Sequence, residues 1–258
     1  MILTIDIGNT NIKIGLFLDN KMLYSWRIST DVTRTSDEHA NIIKQLLFSE
    51  QINPNQIVGG IISSVIPQLN YTIVHMVEYY FGFTPLMIAA GIKTGLNIKY
   101  ENPKELGSDR IVNCVAACKK YGAPFILIDF GTATTFNVVN AKNEFLGGCI
   151  TTGIKTSIKA LSNSTACLPE VELTRPPKVL ANSMVRSIQS GIIYGMTGQV
   201  EYIVNKLKEE TNLSDCKVIA TGGLSQLLSF DGKKVIDLVD RSLSLEGLNI
   251  IYHLNKNI

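Results

Sequence analysis

ILTIDIGNTNIKIG, residues Ile2 to Gly15, sets a carboxylate, Asp6, at the end of an apolar run with the composition of a β-strand. A carboxylate at the end of a buried strand is costly unless a cation or hydrogen bonds compensate it, so this strand end is expected to face an ion-filled cleft. Gly8 would let the chain turn tightly and bring backbone N–H groups close to a phosphate, with Asn9 and Thr10 as further donors. For one such copy, a capped hairpin turn is the plainer reading, because Asp, Gly, Asn and Thr are ordinary turn residues.

The chain repeats the pattern. ILIDFGTATTFNV, Ile126 to Val138, aligns its apolar run, Asp129 and Gly131 with Asp6 and Gly8 at one offset of 123 positions. Thr132, Thr134 and Thr135 supply the hydroxyls. Two copies at matching places favour the phosphate-loop reading over the turn. In the first copy the next strands are Ile12 to Phe17 and Met22 to Ile28 around the turn LDN; in the second they are Thr135 to Val139 and Phe145 to Ile150 around NAKNE. Each half therefore opens with an antiparallel meander.

Helices follow each meander. TSDEHANIIKQLLFSEQI has Thr35 or Ser36 as a cap, acids in its first turn and an apolar stripe of Ile42, Ile43, Leu46 and Leu47. A strand is expected at Ile57 to Ser63, a helix over QLNYTIVHMVEYYF closed by Gly82, and a short strand at PLMIAA. GSDRIVNCVAACKKYG reads as a helix with Ser108 as N-cap, Ile111, Val115 and Cys118 on one face and Gly122 after it. Helices around Lys155 to Ser162 and Met184 to Glu210, a strand at Lys217 to Ala220 and a terminal helix from Leu245 complete the second half. Strands then helices, twice, give two α/β domains, 1–117 and 118–258, meeting at a cleft.

Composition narrows the function. The chain has 258 residues, 45% hydrophobic and 18% charged, with a formal net charge of +2. No Lys/Arg run interleaved with aromatics suggests a nucleic-acid partner, and no signal segment or long uninterrupted apolar run suggests a membrane; a cytoplasmic protein is expected. Cys114, Cys118, Cys149, Cys167 and Cys216 form no CxxC and are expected as buried free thiols. His39, His75 and His253 sit beside no nucleophile motif. There is no GxxxxGK[ST] and no GxGxxG after a strand. A strand running into Thr221-Gly222-Gly223 offers a flat glycine surface for an adenine or ribose, although TGG is also an ordinary strand-ending turn.

DIGNTNIKIG, ISSVIP, GLNIKYENPKELGSDRIVN, IDFGTATTFNVV, GGCITTGI and LSLEGL together resemble the type III pantothenate kinases, a bacterial branch of the acetate kinase, sugar kinase, Hsp70 and actin superfamily. The likeness runs nearly end to end. GSDR and DFGTATT in this order and spacing are specific, whereas DIGNT alone indicates only the superfamily. The resemblance implies two duplicated ribonuclease-H-like (actin-like ATPase) domains, ATP-dependent phosphorylation of pantothenate in coenzyme A synthesis, Mg²⁺ with the nucleotide, a monovalent cation (K⁺ or NH₄⁺) and a homodimer. It implies a first phosphate loop of Asp6, Ile7, Gly8, Asn9, Thr10, Asn11, Ile12 and Lys13, with Thr132 beside Gly131 contacting ATP. Asp109 would be the base at the pantothenate hydroxyl, Gly107, Ser108, Asp109 and Arg110 would bind that substrate, Tyr100 would line its pocket, and Asp129 would hold the monovalent cation.

One position departs from the family. Where Thr commonly stands seven residues before the Gly of SIQSG, this chain has Met184, preceded by Ser183. Either a backbone contact replaces the hydroxyl or Ser183 supplies it.

The residues by themselves also allow blander readings. Asp109 could be a first-turn helix acid, a position that lowers its pKa and makes it a weak base. Arg110 could be a solvated helix charge or a bidentate fork for the pantothenate carboxylate. Tyr100 could be packing. The long helix from Met184 carries more apolar surface than one core-facing stripe needs, with small residues that permit close approach; burial within one domain is one use for it, and the dimer that the resemblance implies makes a place at the twofold interface the expectation. A nucleotide-binding transcription accessory factor of the same family and a kinase for another small hydroxylated acceptor are the other functional classes. Retention of Asp6, Asp109, Arg110 and Asp129 argues against the first; the GSDR and YENP segments argue against the second.

Overall fold

The computed structural model describes residues 1–225 and 235–256, which divide into two compact units. The first unit holds Met1–Gly95, Glu101–Lys120 and the residues from Ser242 onward. Its sheet begins with a meander of β1 (Ile2–Ile7), β2 (Asn11–Leu18) and β3 (Lys21–Ser29). β4 (Gly59–Ser64) then pairs parallel to β1, and β5 (Leu86–Met87) pairs parallel to β4, giving the order β3-β2-β1-β4-β5. Parallel pairing requires crossovers, and α1 (Ser36–Ser49) and α2 (Pro67–Phe81) supply them. Thr35 caps α1 in a reciprocal box with Glu38, and Gly82 ends α2 in the left-handed region at φ 76°. β1 is buried throughout, as a central strand covered on both faces must be.

α3 (Ser108–Tyr121) follows. Its buried residues are Arg110, Val112, Asn113, Cys114, Val115, Ala116 and Ala117, a broader face than the expected Ile111, Val115 and Cys118 stripe, because α3 is packed from more than one side. Ser108 is the first helical residue rather than the N-cap, and its hydroxyl turns toward β4.

The second unit holds Leu96–Tyr100 and Tyr121–Arg241. β7 (Phe125–Phe130), β8 (Ala133–Val139) and β9 (Glu144–Thr152) form its meander, with β10 (Lys217–Thr221) and β11 (Leu238–Val239) parallel beyond β7. The order β9-β8-β7-β10-β11 repeats that of the first sheet, and β6 (Asn97–Ile98) adds a parallel edge beside β9. The two first hairpins differ only at their tips: Ile7↔Ile12 closes a four-residue loop, Phe130↔Thr134 a three-residue one. The facing pairs below the tips stay equivalent, so Asp6 lies opposite Lys13 and Asp129 opposite Thr135.

α4 (Ile154–Ser164) and α5 (Met184–Thr211) cover this sheet. Met196, Val200 and Val204 of α5 join Ile126, Ile128 and Val218 in one core, with Ile192 and Ile203 partly buried against it. Most of the apolar surface noted in the sequence is therefore used inside the unit. Gly191, Gly195 and Gly198 face out, with open space where their side chains would be.

The last helix, α6 (Leu243–Asn255), packs on β1, β2 and β4 of the first unit. A sequence division at 117/118 assigns it to the second half; its apolar face, with Leu243, Leu245, Leu248 and Ile251 buried, takes it to the first. All five cysteines are free; Cys114 and Cys216 are buried as expected, whereas Cys167 is exposed. Among the described residues no helix is long and apolar enough to cross a membrane.

Candidate active site

In the first unit, β1 delivers Asp6 to its C-terminal end, only 6% exposed. The opposing β2 residue, Lys13, donates from Nζ to Asp6 Oδ2 at 3.3 Å and to Ser244 Oγ of α6 at 3.1 Å. A buried carboxylate thus has the cation its position demands. Ile7 and Ile12 are buried and anchor the hairpin, while Asn9 and Thr10 are exposed at its tip and Gly8 and Asn11 are half-buried. Thr30 holds the tip from the side, its hydroxyl donating to the Gly8 carbonyl at 2.6 Å.

Gly8 and Gly131 turn the chain tightly, and their own amides are used in doing so. Gly8 N donates to Asn11 O, and Gly131 N to Ala133 O, each at 3.1 Å, so both amides close their own turns. Position 8 is tight: a Cβ there would sit 3.1 Å from Asn11 O.

β4 ends beside β1, with Ser63 paired to Asp6 in register. The Ser63 hydroxyl donates to Ser108 Oγ at 2.9 Å, and Ser108 donates to the Ser64 carbonyl at 3.1 Å. These bonds tie the start of α3 to the end of β4, the strand beside the one that carries Asp6. Asp109 follows directly; its Oδ1 accepts from the Arg110 amide at 2.9 Å and lies against Gly107. Burial pushes the Asp109 carboxyl above its ordinary value, and the like charge of Asp6 pushes the same way. The Arg110 amide and the Arg110 and Lys13 charges pull it down without cancelling the rise. The lowered pKa expected from a helix first turn is thus reversed, because burial outweighs the helix end. Arg110 is 6% exposed, which removes its reading as a solvated helix charge.

In the second unit, Asp129 lies at the corresponding strand end, half-buried, paired in register with Thr135 and Thr221. Gly222 has φ 92°, and a Cβ on it would meet Phe130 O at 2.6 Å and Asp129 Oδ1 at 2.8 Å. The first glycine of TGG is therefore fixed by contact with the Asp129 strand end, whereas Gly223 has open space beside it. Thr132 O accepts from Gly153 N at 3.1 Å and from Thr156 Oγ1 at 2.6 Å, which seats the N-terminus of α4 on the second loop. Tyr100 sets its ring edge-on to Phe145, centroids 6.1 Å apart. Ser183 stands at the N-cap of α5 with no side-chain capping bond, and Met184 is exposed.

The structure thus gathers Asp6, Lys13 and Asp109 in the first unit, and Asp129, Gly131 and Gly222 in the second. Sequence reasoning passed over Ser63, Gly153 and Ser244 as individual site residues. ISSVIP, GGCITTGI and LSLEGL contained them, but nothing in those strings shows which member reaches a loop.

Two sheets of matching order, each with an acid at the end of its first strand, define a protein of the actin-like ATPase, ribonuclease-H-like fold. Solved structures agree. A protein from Sinorhizobium meliloti described as a 2-dehydro-3-deoxygalactonokinase by assignment superposes with a TM-score of 0.59 at 10% identity, over 100% of this chain and 98% of that one. An inorganic polyphosphate/ATP-glucomannokinase from Arthrobacter sp. strain KM gives 0.53 at 14% identity, over 98% of each chain. A protein from Campylobacter jejuni described as a Baf family transcriptional activator gives 0.56 at 19% identity, over 99% of this chain and 100% of that one. These likenesses carry the fold alone. The family model for type III pantothenate kinase matches residues 2–206, and the chain belongs to that family. It phosphorylates pantothenate at the expense of ATP, with a divalent metal ion, in coenzyme A biosynthesis.

Proposed function

We propose that Asp109 is the base of this reaction, taking the proton of the pantothenate hydroxyl as that oxygen attacks the γ-phosphorus and ADP leaves. The observation that carries the assignment is the raised pKa of a carboxylate held beside the Asp6–Lys13 pair. A base is more effective when its pKa lies nearer the working pH, and a loose phosphoryl-transfer transition state asks mainly for positioning and charge. ATP supplies the phosphoryl group. In the first unit Asp6 to Lys13 are assigned to phosphate, with Lys13 offering a cation; in the second unit Gly131-Thr132 are, with the α4 N-terminus offering a favourable dipole. Gly222 makes the turn, and Gly223, with open space beside it, leaves room for the nucleoside. Pantothenate is assigned to Gly107 to Arg110 in the first unit, and Tyr100 and the Ser183-Met184 segment are its candidate contacts in the second. ADP release should rise above its no-acceptor level with pantothenate and not with a panel of sugars, and Asp109→Asn should lower that rate about 10² to 10⁴-fold with ATP binding retained. Near-normal turnover by the variant removes Asp109 from the role.

Asp129 is assigned the monovalent cation, K⁺ or NH₄⁺. In the second half a neutral Thr135 stands where the first half has Lys13, and a bound cation would offset phosphate charge there. Equal rates in exchanged sodium and potassium buffers would refute this. The homodimer is assigned to the outward glycine stripe of α5, which lets a second helix approach closely. Gly195→Glu should then convert a dimer to a monomer by light scattering. Five free thiols accord with a reducing, cytoplasmic setting.

A further inference from the structure

LSLEGL, residues 243–248, lies beyond residue 206, where the family match ends, yet each of its residues has work in the first unit. Leu243, Leu245 and Leu248 are buried. Glu246 pairs with Lys120 of α3 at 2.6 Å. A Cβ at Gly247 would overlap the Val112 carbonyl, so α6 meets α3 backbone to backbone. Two further glycines receive the helix: Gly15 of β2 against Leu245, and Gly59 of β4 against Tyr252. Asn249 donates to the Asp19 carbonyl at 2.8 Å, which fixes α6 to the β2–β3 turn as well.

A helix seated this closely on three elements has little freedom to shift. It presents Ser244, 2% exposed, to Lys13 Nζ at 3.1 Å. Lysine is a flexible stem with three donors, and Asp6 alone fixes only one of them. From these contacts we infer that Ser244 is a positioning residue for Lys13, holding its ammonium at the phosphate loop; the inference rests on the assignment of Asp6 to Lys13 to ATP. The same helix grips α3 one turn beyond Asp109, so α6 sets Lys13 and the Asp109 helix in register with each other.

Steady-state kinetics of Ser244→Ala, Lys13→Met and the double variant, with melting temperatures, test it. Ser244→Ala should raise KM for ATP about 3- to 10-fold with KM for pantothenate unchanged, and should add less than about twofold in the Lys13→Met background, because neighbours that act through one another are not additive. Ser244→Cys, close in shape and a poor acceptor, should behave like Ser244→Ala and serves if alanine fails to fold. An equal cost of the serine change in both backgrounds overturns the proposal. So does a loss of melting temperature with both KM values rising together, which marks a structural role. If Lys13→Met leaves ATP kinetics untouched, the loop assignment itself fails and takes the proposal with it.

Discussion

The carboxylate of Asp109 fills the place a side chain at Gly107 would occupy: a Cβ there would lie 2.5 Å from Asp109 Oδ1. Gly107→Ala must therefore push the carboxylate aside while leaving α3 intact. Turnover should fall about 10- to 100-fold, since misplacing a reacting group by an ångström costs that much, with little change in KM for ATP or in the circular dichroism spectrum. Wild-type turnover by the variant would separate this fit from catalysis.

The raised pKa of Asp109 also has a consequence for stability. Its folded pKa lies above the unfolded value of 3.8, so the native state binds more protons between the two values. Stability is therefore greatest below the unfolded pKa and declines as pH rises through the folded one; if Asp109 is the base, activity should appear over that same rise. Asp109→Asn should melt at a higher temperature than wild type at pH 7, and the wild-type acid limb of kcat should titrate above the ordinary carboxylate range. A variant that melts lower at pH 7 would contradict the buried-charge account.

His39 of α1 gives the opposite slope. It is fully buried, and neither ring nitrogen has a hydrogen-bond partner among the described residues. Burial lowers its pKa from 6.5, Arg34 adds to the shift, and Asp31 and Glu38 oppose it. The unfolded chain then binds more protons between the two values, so stability is lost as pH falls through 6.5 toward the folded pKa. His39→Leu should flatten the melting profile between pH 5 and pH 7.5 and remove an unsatisfied polar ring, a gain of about 1 kcal/mol. Parallel profiles for variant and wild type would show that His39 does not titrate on unfolding.

Gly222→Ala tests the second strand end. At φ 92° an alanine is strained, and its methyl would strike Phe130 O and Asp129 Oδ1. A loss of more than about 1 kcal/mol in urea unfolding is expected. If Asp129 holds the monovalent cation, potassium activation should weaken in the same variant; full activation would detach the cation from this carboxylate.

Much of this was legible in the chain because its signals are local. Asp6 and Asp129 sit at the ends of apolar runs, and the turns LDN and NAKNE mark two meanders that the structure contains. Thr35 with Glu38 and Gly82 mark helix ends by residue type. What stayed hidden depends on partners distant in sequence. Asn97-Ile98 is a strand only because β9 offers it an edge. Asp109 has a raised pKa only because folding buries it and brings up Asp6. Ser108 looks like a helix cap until Ser63 and Ser64, over forty positions earlier, take its hydroxyl. The outward face of α5 is set by the sheet beneath it, which no periodicity within the helix reveals.

The return of α6 to the first unit fixes an order of events during synthesis. Residues 1–95 emerge first, yet the surface of β1, β2 and β4 that α6 covers stays bare until residue 255 has been made. The second unit, contained within 96–241, has its whole sequence available earlier and can close while the first still waits. A chain halted in translation before 243 would therefore hold a finished second unit joined to an N-terminal sheet with exposed apolar surface, the form most open to proteolysis and aggregation.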